Sequence, residues 1–150
     1  MHWDVIQFNH GLHDLKQRSP GANYAVPIEA YKKNLKKEIE IMKKTGATLI
    51  WCSTTPVPNS RGGRYGRQKG AEKVFNEAAL EVMRQYPEIH INDLCKVVDE
   101  TEVFDNWRKG GDVHFYRAEE QAVLGKAVAD AVIQALAARK AAADKKIDFK

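Results

Sequence analysis

Two cysteines in 150 residues, Cys52 and Cys95, are too few for a disulfide framework, and their separation matches no metal knuckle. Both therefore read as small buried hydrophobes. No uninterrupted apolar run approaches the roughly 18 residues of a membrane span. A hydrophobic fraction of 43% with 29% charged residues excludes a disordered chain. The start, Met1-His2-Trp3-Asp4-Val5, has neither the basic head nor the apolar core of a secretory leader, which sets the expectation of a cytoplasmic protein. There is no phosphate-loop spacing, and no aromatic residues are interleaved with the lysines to stack bases. The net charge of +4 then reads as a solvated helix face, because Lys32, Lys33, Lys36, Lys37, Lys43 and Lys44 fall in one helical segment. Neither nucleic acid nor a membrane is an expected partner.

What is present fits one core. A chain of 150 residues is the size of a single domain, expected here over residues 1–143 with a charged, frayed tail over 144–150. Asp4 to Asn9 contains the short, partly β-branched run Val-Ile-Gln-Phe and reads as a buried parallel strand. Pro27 can open a helix in which Ile28, Tyr31, Leu35, Ile39 and Met42 form one apolar stripe, and Gly46 can close it. Ala47 to Cys52 is a second strand. After a loop rich in proline and glycine, the helical period returns from Val74 to Met83, and Pro87 ends it. Ile89 to Asn92 reads as a short third strand, and a last helix is expected from about Ala118 to Lys140.

Alternating strands and helices predict an α/β fold, since parallel neighbours need a crossover and the crossover is usually a helix. Ligands of open parallel sheets bind at the carboxyl ends of the strands. The loops expected there carry Asn9-His10-Gly11-Leu12-His13-Asp14, Ser53-Thr54-Thr55-Pro56 and Gly110-Gly111-Asp112-Val113-His114-Phe115. Asp112 beside His114 suits a general base, because a carboxylate fixes the imidazole tautomer and stabilises the cation formed on proton uptake. Ser53, ending the second strand, is the better placed of the serines for a nucleophile. Cys52 would point to the opposite face. Arg61, Arg64, Arg67 and Lys69 lie in a glycine-rich loop and could grip an anionic group.

These loops resemble the SGNH (GDSL-type) hydrolase family. Trp3 to Asp14 is similar to its third block, Gly-x-Asn-Asp, with Gly11 and Asp14 matching and His13 where asparagine is commoner. Gly111 to Phe115 is similar to its fifth block, which supplies the catalytic aspartate and histidine. The resemblance implies a three-layer, flavodoxin-like parallel sheet, apparently truncated at its N-terminal side, and hydrolysis of a small-molecule ester without a cofactor. It implies His114 as base and Asp112 as its partner, with Gly11 and Asp14 at the substrate; Arg64 is expected there from the chemistry of its own loop. The oxyanion donor would be either the His13 ring or Asn9.

The chain also departs from the family. No Gly-Asp-Ser nucleophile block occurs, and Asp112 precedes His114 by two residues where three are usual. Two alternatives follow: a non-catalytic truncated module, or a divalent-metal site built from His10, His13, Asp112 and His114. Absence of the family's first strands would leave Asp4 to Phe8 as an exposed edge, which predicts a homodimer through that edge.

Overall fold

A computed structural model describes residues 2–58, 66–110 and 113–147. Three strands, β1 (Val5–Phe8), β2 (Thr48–Cys52) and β3 (His90–Asn92), form a parallel sheet in the order β1-β2-β3. The register sets Val5 opposite Thr48, Phe8 opposite Trp51, and Trp51 opposite Ile91. Helix α1 (Ile28–Lys43) links the first two strands and α2 (Ala71–Met83) the second pair.

Strand periodicity decides which layer each side chain joins. Ile6, Phe8, Leu49 and Trp51 face one way and form the main core with Tyr31, Leu35 and Ile39 of α1 and Phe75, Ala79 and Val82 of α2. Val5, Ile50 and Cys52 face the other way and meet Ala131, Val132 and Ala135 of α5 (Ala118–Ile147). The result is the expected three-layer α/β arrangement, with helices on both faces of the sheet. The lysines of α1 behave as the solvated face predicted for them, Lys32 pairing with Glu29 and Glu81, and Lys43 with Glu88.

Three differences from the sequence reading matter. Between β3 and α5 lie α3 (Leu94–Glu100), a 3-10 turn (Glu102–Phe104) and α4 (Asp105–Gly110), which were not foreseen. Their apolar residues Val98, Phe104 and Trp107 build a third cluster with Phe115, Val123 and Leu124. Next, α5 continues to Ile147, through most of the segment expected to be a frayed tail. Finally, α5 is long and apolar enough to cross a membrane by length and composition, with a mean hydropathy of 1.2 in a window within Ala118–Asp144. Scattered charges interrupt every apolar run, while alanines keep the average high. Here the helix lies against the sheet, from the end of β3, where Asn92 Nδ2 donates to the Ala127 carbonyl, to the start of β1, where Arg139 meets Asp4.

Candidate functional site

The carboxyl ends of β1 and β2 are bolted together. Asn9, one residue past β1, donates through Nδ2 to the Cys52 carbonyl at 2.7 Å and to Thr54 Oγ1 at 3.2 Å. Thr54 Oγ1 in turn donates to the His10 carbonyl at 3.1 Å, which also receives the Tyr31 hydroxyl at 3.1 Å. Burial pushes that phenol upward, so it stays a donor. Asn76 of α2 completes the frame, accepting from the Thr54 N–H at 2.8 Å and donating to its carbonyl at 2.8 Å. Gly11 has φ +139°, and a Cβ there would lie 2.6 Å from Thr54 Oγ1, so both conformation and space demand glycine. A primary amide has two N–H donors, and those of Asn9 are both directed at protein acceptors. As placed, Asn9 offers no donor to an oxyanion.

Ser53 is equally committed. It is 4% exposed, donates to Asp93 Oδ1 at 2.7 Å and accepts from the Cys95 N–H at 2.8 Å. Asp93 is also the N-cap of α3, accepting from the Lys96 N–H at 3.1 Å. The hydroxyl thus ties β2 to α3, and its described partners do not include a histidine. Burial pushes the Cys52 thiol up to about 11, and burial with the nearby Asp99, Glu72 and Asp93 carboxylates pushes Cys95 up to about 12. Neither is a thiolate at neutral pH. Cys95 is half-buried rather than buried, because α3, absent from the sequence reading, sets it at the helix start.

His114 lies between α4 and α5 on a segment whose alternate residues point in and out. Val113 packs on the main core and Phe115 between Phe104 and Trp107, with ring centroids at 5.4 and 4.7 Å. His114 and Tyr116 are consequently exposed. The His114 carbonyl accepts from Trp107 Nε1 at 3.2 Å, and its ring Nδ1 lies 3.4 Å from the Tyr116 hydroxyl. The imidazole borders a hollow of about 540 Å³ with Trp107, Lys109, Arg117 and Glu120.

Ser53 borders a different hollow, of about 340 Å³, with Trp51, Asn76 and Asp93. A third, of about 480 Å³, shares Lys73 and Asp99 with the Ser53 hollow and Trp107 and Lys109 with the His114 hollow. None of the three is lined by both Ser53 and His114. The third hollow also exposes what the sequence reading missed, Glu72. This carboxylate is 2% exposed in the first turn of α2, its Oε2 accepts from the Val57 N–H at 3.3 Å, and burial pushes its pKa upward. The signal was its place on the apolar stripe, three residues before Phe75 and seven before Ala79.

The remaining expected site residues do not converge. The His10 ring turns to Glu38, with Nε2 3.1 Å from Oε2, while His13 is exposed and Asp14 half-buried on the following turn. Arg67 Nε donates to the Leu12 carbonyl at 2.9 Å. Asp112, Gly111, Arg61 and Arg64 lie outside the described residues. Among the described residues, no group of three or more histidine, cysteine, aspartate or glutamate side chains could hold a metal ion. His10, His13 and His114, the described members of the metal alternative, therefore do not form such a group.

In sequence comparison, the chain matches no protein-family model and no curated protein.

Proposed function

We propose that this chain is a hydrolytic α/β module of SGNH type that cleaves a small-molecule ester, with His114 as general base and Asp112 as the partner that orients it. The observation that supports this reading is the exposed His114 imidazole, held by Val113 and Phe115 on either side, at the rim of a hollow of about 540 Å³ between α4 and α5. A histidine so placed takes a proton from the attacking oxygen and returns it to the leaving alkoxide, giving an acid and an alcohol. Ser53 is engaged by Asp93 and Cys95, and both thiols are held protonated, so the attacking oxygen comes from water or from a group outside the described residues. Lys109 and Arg117 beside His114 suit an ester carrying negative charge.

A second reading, a non-catalytic module of the same architecture, is favoured by the committed donors of Asn9 and Ser53. Hydrolysis of p-nitrophenyl acetate by the wild type and by His114→Ala separates the two. The first reading expects a rate at least about a hundredfold lower in the variant, the low end of the usual range for losing a general base. Equal rates would leave the non-catalytic module standing.

A further inference from the structure

The hollow of about 480 Å³ between the loop after β2, the first turn of α2 and helix α4 has walls of two kinds. Pro56, Val57, Pro58 and Trp107 are apolar, while Lys69, Lys73 and Lys109 bring positive charge. Two sets of contacts fix its shape. The Val57 N–H donates to Glu72 Oε2 and ties the loop to α2; the Arg108 guanidinium donates to the Val98 and Thr101 carbonyls and to Asp105, and ties α4 to the end of α3. Arg108 is thereby occupied. Lys73 and Lys109 are exposed, and neither forms an ion pair among the described residues, although Glu72 and Asp99 line the same hollow. Glu72 is withdrawn into the floor and burial pushes its pKa upward, so it opposes an incoming anion less than a surface carboxylate does. Asp99 remains as the one exposed carboxylate against three lysines.

We propose that this hollow binds a small organic acid, its apolar body against Pro56, Val57, Pro58 and Trp107 and its carboxylate met by Lys73 and Lys109. The volume suits such a ligand, since small-molecule sites span about 300–1,000 Å³ and combine apolar walls with a few charged groups. Neither half of the lining selects a ligand by itself. Exposed lysines hold a bare anion weakly, because water and salt screen them, and inorganic phosphate would leave the apolar walls wet. A neutral hydrocarbon would cover those walls and gain nothing from the two unpaired ammonium groups. A cation would meet three lysines. An apolar acid uses both halves at once, and its body displaces water beside the charges, which strengthens their attraction. The site stands whether or not His114 acts as a base.

Cinnamate is the probe, titrated into the whole chain and followed by the NMR shifts of backbone amides and indoles. Saturable shifts are expected at Val57, Gly70, Lys73 and the Trp107 indole N–H. Affinity is expected to exceed, by at least about tenfold, that of cinnamyl alcohol, which lacks the charge, and that of inorganic phosphate, which lacks the apolar body. Lys73→Gln and Lys109→Gln are expected to weaken cinnamate at least about threefold each and about tenfold together, the scale of exposed charge pairs, whereas Lys73→Arg keeps it. The wild-type titrations serve whether or not the variants fold. No saturable shift up to about 10 mM, saturable shifts confined to other parts of the surface, equal binding of the alcohol or of phosphate, or a folded double variant with unchanged affinity would each overturn the proposal. None of these outcomes depends on esterase activity.

Discussion

Ser53 Oγ donates to Asp93 Oδ1 at 2.7 Å and accepts from the Cys95 N–H at 2.8 Å, so the residue that ends β2 also fastens the first turn of α3. A hydroxyl at a strand end can serve structure or chemistry. Here its donor and an acceptor site are taken by neighbours, and its nearest carboxylate is already a helix cap.

Ser53→Ala is therefore expected to cost about 1–2 kcal/mol in urea unfolding, by leaving the Cys95 N–H and the Asp93 carboxylate short of a partner. Ester turnover per folded molecule should stay as in the wild type. Unchanged stability with lost turnover would instead make Ser53 the nucleophile.

Gly11→Ala is expected to destabilise by about 2 kcal/mol or more, combining a backbone conformation that L-residues avoid with a clash against Thr54 Oγ1. Removing that oxygen relieves the clash, so the double variant with Thr54→Ala should lose at least about 0.5 kcal/mol less than the sum of the single losses. Strict additivity would mean that the two residues do not touch.

Glu72 carries a pH signature. Its folded-state pKa is raised by burial, so the folded protein holds this proton more tightly than the unfolded chain, and the stability gained from it is present below the ordinary carboxylate value of 4.5 and lost as pH rises through the folded value. Glu72→Gln keeps an acceptor for the Val57 N–H without a charge to bury. The variant is expected to be more stable than the wild type at neutral pH, with the difference shrinking as pH falls toward 4. A variant less stable at pH 7 would show that the ionised carboxylate is stabilised by a partner.

Both thiols should be slow. With Cys52 pushed up to about 11 and Cys95 to about 12, native protein at pH 7.5 should react with Ellman's reagent far more slowly than unfolded protein, in which thiols return to about 8.5. Rapid labelling of one thiol in the folded state would mark an activated cysteine.

The sequence was most legible where a single periodicity controls an element. Tyr31, Leu35 and Ile39 recur every four residues and are all buried on α1, and the apolar run Leu49 to Cys52 lies covered on both faces as β2. α3 was missed although Asp93 before Leu94, Val97 and Val98 is a cap followed by a stripe; the segment is seven residues long, too short for the period to stand out against its polar neighbours. α4 hid for the same reason, its one buried residue being Trp107.

At the site, the loops were found but their internal commitments were not. That Asn9 and Ser53 stand at strand ends follows from the strand pattern. That Asn9 spends its amide on Cys52 and Thr54, and Ser53 its hydroxyl on Asp93, depends on partners at least 40 residues away in the chain.

The sequence by itself determined the three strands, the helices that cross between them, the long last helix and the two apolar faces of the sheet, because those follow from the local spacing of side chains along one backbone. Tertiary structure alone decided that Ser53 is a fastening, that Glu72 is buried, and that Ser53 and His114 line different hollows. Each of these depends on which distant polar group supplies a hydrogen bond or excludes water, and residue spacing carries no record of that.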